Sequence, residues 1–523
     1  MRVQLPLRRP RRLVVVAVAV LALAAVSAVS AVSVSSAAGE QSAPLLRIGI
    51  PHPINTWDLA RDGSSLPYVA AAGLEPLLIV RDGKIVPFLA QKITQPGRGI
   101  YVYHLRRGIK FWDGNELTAA DVANSLNYYR APTSYQSFYF PSVKSIVALD
   151  RYRVAVTLKR PDVSFQYNIA TSLVPIFEKK FQDEHGAKMG QPGTGIMGTG
   201  PYKFDSLDPT KGAELSANPN YWGPNKPRFK HLSFKFFSDV TSMALAFRAG
   251  ALDLVPEIND ARAWQATTGQ KPTIVPGCEI HMFGMPTTAA PWNDVHVRRA
   301  VAHALNRTEL IQSRGTPATP VTTLVLPSQL YRLQPKAVVD RMIKSLPQYP
   351  FNLAMAKAEL AKSKYPNGFS ASFPTVTAFF GNEPQVVANQ LAKIGIKLDV
   401  QNIPFADWIE HITVKHDIPA LTYATCLTGD AHDYVTNYLE FGSITNYKPP
   451  VIRALNRQSV FYSDPAKRFA VYTKLLRQLA IDVPFVPEYT GNAVMAISPK
   501  FSWSTFDGSG WLTRDYIQEI RPK

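Results

Sequence analysis

The residues able to do chemistry in this 523-residue chain are few and poorly grouped. Ten histidines are scattered, with no H-E-x-x-H run and no paired Cys/His spacing, so no metal site is expected. His411 and His416 stand five apart, a poor spacing for one helix face, and read as solvated or core histidines. The stretch Gly193-Thr194-Gly195-Ile196-Met197-Gly198 satisfies G-x-G-x-x-G. A dinucleotide fingerprint must follow a strand and open a helix, whereas this one follows Gln191-Pro192 and runs into Pro201, so it reads as a loop. No G-x-S-x-G elbow occurs, and no Ser/His/Asp triad can be singled out. Neither a catalytic residue nor a cofactor is expected. What remains is an excess of aromatic residues in loops: Trp57, Tyr68, Phe138, Tyr139, Phe140, Phe405 and Trp408. Such rings give large apolar contact at small entropic cost, the chemistry of a pocket for varied side chains. The competing reading of each is an ordinary core aromatic.

These residues need a scaffold, and its clearest unit runs from Tyr101 to Arg130. Tyr101, Tyr103 and Leu105 alternate with Val102 and His104, the period of a strand. Gly108 breaks the run, Ile109 to Phe111 reads as a second short strand, and Asp113-Gly114-Asn115 as a turn. Thr118 is placed to cap a helix, with Asp121 three residues on, and Val122, Leu126 and Tyr129 give that helix one apolar face. Leu45 to Ile50 reads as a first strand, and Pro51 to Pro67 as a loop that includes Ser64 and Ser65. From Cys278 onward strands alternate with helices: Val295 to Gln312, Asn352 to Lys364, strand Ser370 to Thr377, Glu383 to Ile394, strand Ile396 to Val400, and a last helix Pro465 to Ile481. That alternation implies a parallel or mixed sheet with helices on its faces.

Length and a hydrophobic content of 46% allow a core large enough to split into two or three domains. Arg2, Arg8, Arg9, Arg11 and Arg12 precede an unbroken apolar run from Leu13 to Val26, the pattern of an export signal. Ser36 and Ala38 suit cleavage before Gly39, giving a leader of residues 1–38; the alternative is an uncleaved anchor. No cysteine stands there for lipid attachment, so a free periplasmic protein is expected. The formal charge is +18, but basic residues come singly or in pairs, with no basic stripe interleaved with stacking aromatics. Nucleic acid is therefore not an expected partner.

The run LRRGIKFWDGNELTAADVANS, from Leu105, resembles the family-5 extracellular solute-binding proteins of bacterial ABC transporters, the dipeptide- and oligopeptide-binding group. GTGPYKF (Gly198 to Phe204) with ANPNYWG (Ala217 to Gly223) resembles a second block of that family, and the run from Trp292 to Ile311 a third. LTGDAHD, from Leu427 to Asp433, resembles a fourth, with Leu427 where the family usually has tryptophan.

This resemblance implies an α/β fold: a two-lobed, type II periplasmic-binding clamshell with an additional inserted domain. Lobe I would comprise residues 39–79, 192–276 and 489–523, the insertion residues 80–191, and the other lobe residues 277–488. The chain would cross between lobes near Gly277 and near Pro487 to Tyr489. The implied function is to capture short peptides between the lobes and deliver them to the ABC permease and ATPase subunits of the inner membrane, as a monomer. A metal chelate, haem, an opine or a sugar is the alternative cargo for the same fold, and a secreted hydrolase the reading of another class. By resemblance Asp430 would hold a peptide's α-ammonium, within a ligand-contacting set of Leu427, Thr428, Gly429, Ser64, Ser65, Phe138 and Phe405. Cys278 and Cys426 lie near blocks that form neighbouring strands in that family; they either pair as a disulfide or remain core thiols.

Overall fold

The computed structural model describes residues 45–61, 66–81, 84–427, 429–439, 445–503 and 517–523, so the leader expected at residues 1–38 lies outside the described residues. Alternating apolar positions at Leu46, Ile48 and Ile50 are fully buried, which places the strand Leu46–Ile50 inside a large mixed sheet. Along that sheet the order is Tyr202–Asp208, Gly212–Ala217, His231–Phe236, Leu46–Ile50, Leu254–Val255, Phe485–Ile497, Thr273–Gly284 and Leu421–Cys426, with Ala318–Pro320 added beside Phe485–Ile497. Leu46–Ile50 runs parallel to both of its neighbours, His231–Phe236 and Leu254–Val255.

The two longest strands, Thr273–Gly284 and Phe485–Ile497, pair antiparallel from Thr273 opposite Met495 to Gly284 opposite Phe485. They tie two cores together. At one end Met495 joins a core built on Leu46, Trp57, Tyr103 and Phe234; at the other, Ile280, Met282 and Phe485 join a core containing Trp408, Leu421, Tyr434 and Tyr472. The pairing slips between Pro276 and Glu279, at the residues where the chain passes from one core to the other. Gly277 fits there because a Cβ on it would stand 2.4 Å from the carbonyl oxygen of Gly491 on the facing strand.

Residues 90–158 build a separate four-stranded antiparallel sheet, ordered Ala90–Gly97, Ile100–Leu105, Arg153–Leu158, Val143–Asp150. The helix Ala119–Arg130 covers it, and Asp121 accepts from the Thr118 amide (2.8 Å) and hydroxyl (2.7 Å). Tyr103, Val122 and Leu126 join the same core as Leu46–Ile50, so this sheet packs on the first lobe.

Two sequence expectations fail locally. Ile109 to Phe111 forms no strand: a single bridge pairs Lys110 with Glu116, and the Phe111 amide closes a tight turn on Asn115. The expected helix from Val295 to Gln312 is two helices, Val295–Ala304 and Arg307–Ser313. Asn306 breaks it, because its side chain accepts from the amides of Thr308 and Glu309 and caps a new helix. Among the described residues no helix is long and apolar enough to cross a membrane.

Candidate functional site

A cavity of about 630 Å³ lies between the two cores, with the crossing strands as its floor. Gly277, Cys278 and Glu279 supply one side of that floor and Gly491 to Val494 the other. Cys278 and Cys426, on paired strands with Cα atoms 4.9 Å apart, are joined as a disulfide, and both line the cavity.

One wall comes from the first lobe. His52 and Glu257 follow the C-terminal ends of Leu46–Ile50 and Leu254–Val255, which are neighbouring parallel strands. Outside the carboxyl ends of parallel strands is where open α/β sheets hold their ligands, since helices and loops there leave a crevice. Tyr135, Gln136, Phe138, Tyr139 and Leu173 also line the cavity.

The opposite wall is aromatic. Phe379, Phe405, Trp408 and Tyr423 form a chain of rings with successive centroids 6.1 Å apart, and His52 meets Phe379 across the cavity at 6.3 Å. Trp408 is buried with its Nε1–H unpartnered among the described residues. Of the aromatics that the sequence placed in loops, Tyr68, Phe138, Tyr139, Phe405 and Trp408 stand instead on the short helices Leu66–Ala70, Ser137–Tyr139 and Phe405–Glu410, and they line the cavity. Trp57 and Phe140 do not; both are core residues, and Trp57 stacks on Phe204 at 4.2 Å.

The charges divide into satisfied and unsatisfied groups. Glu279 lines the floor, and although burial pushes its carboxyl up, His281 and Arg314 outweigh that and hold it at about 2. His281 sits between two carboxylates, 2.9 Å from Glu279 and 2.9 Å from Glu383. Burial alone would lower its pKa, yet Glu383 and Glu279 raise it. Arg314 Nη1, which can only donate, lies 2.5 Å from the same Nε2 and opposes a second ring proton, while the two carboxylates favour it. At the mouth, Arg61 is held 3.2 Å from Asp58. Glu257 is different. Burial pushes its carboxyl up, a hydrogen bond from Tyr68 and the charges of His52 and Arg314 only partly offset this, and no ion pair is made among the described residues.

Asp430 is already paired inside the protein. Its Oδ1 accepts from Arg468 Nη2 at 2.6 Å, from the Tyr472 hydroxyl at 2.8 Å and from the His432 amide at 3.0 Å. Burial would raise this carboxyl, but the Arg468 guanidinium holds it below the usual range, while burial and the Asp430 charge push neighbouring Asp433 well above its own. Asp430 is not part of the cavity wall, and its charge is already spent within the protein. Gly429 also stays off the wall, its carbonyl accepting from Arg332 at 2.9 Å. Leu427 does line the cavity, and its backbone is fixed by Gln329 at 3.1 Å and by the Tyr434 hydroxyl at 3.1 Å. Ser64, Ser65 and Thr428 lie outside the described residues. Sequence reasoning missed Glu257, Glu279, Arg314, Phe379 and Tyr423. A signal existed only for Glu257: a carboxylate behind a proline, at the end of the short apolar run Leu254-Val255.

Two packed cores joined by shared strands, with an aromatic-walled cavity over the joint, define a two-lobed type II periplasmic-binding fold. The chain belongs to the bacterial extracellular solute-binding proteins, family 5, matching that family's middle region over residues 84–446. It is similar to the glutathione-binding protein GsiB of Escherichia coli, 26% identical over 329 residues, 61% of this chain and 61% of that protein. Thus the chain spans about 61% of the length of the curated relatives it matches first. Among solved structures it resembles the periplasmic binding protein DppA of Helicobacter pylori in complex with the peptide STSA (TM-score 0.80, 20% identity, 91% of this chain and 98% of that one). It equally resembles AgaA of A. tumefaciens in complex with agropinic acid (TM-score 0.80, 23% identity, 92% and 99%). At such identities these structures establish the fold alone.

Proposed function

We propose that this chain is the substrate-binding component of an ABC importer that captures short peptides between its lobes and hands them to a permease and its ATPase subunits in the inner membrane. The observation that carries the reading is the cavity itself: about 630 Å³, with an aromatic wall facing polar and charged groups from the other lobe. That volume lies in the range that encloses small ligands, and rings accept side chains of varied shape without demanding one hydrogen-bond pattern. Closure is then a population shift, set by how much better the ligand contacts the closed form. The protein would act as an exported monomer without catalysis.

A second reading keeps the fold and changes the cargo to an opine. The neutralised Asp430 favours it, since the carboxylate expected to receive a peptide's amino terminus is already paired. Titration of tryptophan fluorescence with a dipeptide library and with opines separates the two, because Trp408 lies on the cavity wall. Saturable quenching or enhancement by peptides supports the first reading; a response to opines alone supports the second. Recovery of cleaved peptides from the incubation would point to a hydrolase instead.

A further inference from the structure

Among the described residues two carboxylates line the cavity, Glu257 and Glu279. Glu279 is neutralised, 2.9 Å from His281 and 3.5 Å from Arg314. Glu257 has the Tyr68 hydroxyl as a hydrogen-bond donor, and His52 and Arg314 act on it from farther off, but it forms no ion pair among the described residues. An unpaired carboxylate in a closed cleft is costly, and proteins avoid it unless something arrives to complete it. The ends of two neighbouring parallel strands deliver His52 and Glu257 to the cavity.

The geometry points to Glu257 as the anchor for a cationic nitrogen of the ligand: on the peptide reading above, on which this rests, the α-ammonium of a short peptide lies against Glu257 and Tyr68 instead of Asp430. An ammonium there replaces water with a charge-assisted hydrogen bond independent of the ligand's side chains. The rest of the ligand then meets the ring chain from Phe379 to Tyr423 across the cavity. Asp430 has a separate task, fixing Arg468 and Tyr472 behind the loop that carries Leu427.

The test is a competition. Protein stripped of co-purified ligand is exposed to a dipeptide library and to the same library N-acetylated, and retained peptides are quantified by mass spectrometry for the wild type, Glu257→Gln and Asp430→Asn, with folding of each checked by thermal melting. Loss of one partner of a desolvated pair costs roughly 30-fold or more in affinity. Wild type should prefer free peptides over acetylated ones by that margin, Glu257→Gln should bring the ratio near unity, and folded Asp430→Asn should keep the preference. A preference that survives in Glu257→Gln overturns the assignment, as does equal retention of free and acetylated peptides by wild type; either result leaves the peptide reading standing. Retention of neither library by wild type removes the peptide reading and this assignment with it.

Discussion

Replacing Arg468 by methionine keeps much of the side chain's apolar stem and removes its charge. In the structure Arg468 and Asp430 are 9% and 11% exposed at the side chain and 2.6 Å apart, so water cannot rescue the carboxylate left behind. Asp430 would retain only the Tyr472 hydroxyl at 2.8 Å and the His432 amide at 3.0 Å, both neutral donors. Breaking a buried pair from one side costs about 3–5 kcal/mol, far above the ~1 kcal/mol of an exposed pair. Asp430→Asn should be milder, since the amide can still accept through its oxygen and Arg468 keeps the Ser459 carbonyl at 2.6 Å. The double variant should cost less than the sum of the two singles, because the charge stranded by each is absent once both are gone. Denaturant unfolding of all four proteins at neutral pH measures this. A loss below about 1 kcal/mol for Arg468→Met would mean that the pair is solvated. Additive single effects would mean that the two residues do not act on each other, and the argument that Asp430 is spent inside the protein would fall.

Replacing both Cys278 and Cys426 by serine opens a loop of 148 residues and should lower the unfolding free energy by about 5 kcal/mol on the chain-entropy model; no change on denaturant unfolding would refute it. His281 has its pKa raised by Glu383 and Glu279, so its contribution is complete below the unfolded value near 6.5 and is lost as pH rises through the higher folded value. The melting-temperature deficit of His281→Gln should therefore be largest in mild acid and shrink in alkali; a deficit that grows with pH contradicts the raised pKa. Gly277→Ala would set a Cβ 2.4 Å from the Gly491 carbonyl oxygen and force the crossing strands apart, at about 1–3 kcal/mol in denaturant unfolding, whereas an unchanged stability would show that this approach has slack.

Local elements were legible where a few neighbouring residues decide them. Thr118 with Asp121 marks a helix start on chemistry alone, and the structure forms that helix. Asn306 was passed over because the apolar spacing continues through it, and only the competition between its side chain and the helix backbone ends the first helix there. The glycine-rich stretch at 193–198 is a loop because Gly193 and Gly195 take positive φ, a conformation that no strand-to-helix phosphate turn imposes here. The cavity was legible in kind but not in detail. The aromatic excess pointed to Phe138, Phe405 and Trp408, which line the wall, though from the short helices Ser137–Tyr139 and Phe405–Glu410 and not from loops. The pairing of Asp430 was not legible because its partner Arg468 lies 38 residues further on, and a pairing across that separation leaves no local trace. Glu257 escaped for the same reason from the other side: what distinguishes it is that it forms no ion pair among the described residues, which only the packed chain reveals.

Native mass spectrometry of the protein as purified from an exporting host, with the ligand released on unfolding and fragmented, asks what the cleft holds. Peptide capture predicts released masses of short peptides that fragment along the backbone and carry free amino termini, at a stoichiometry of one per chain. A single released opine, sugar, haem or metal chelate in place of peptides would contradict it.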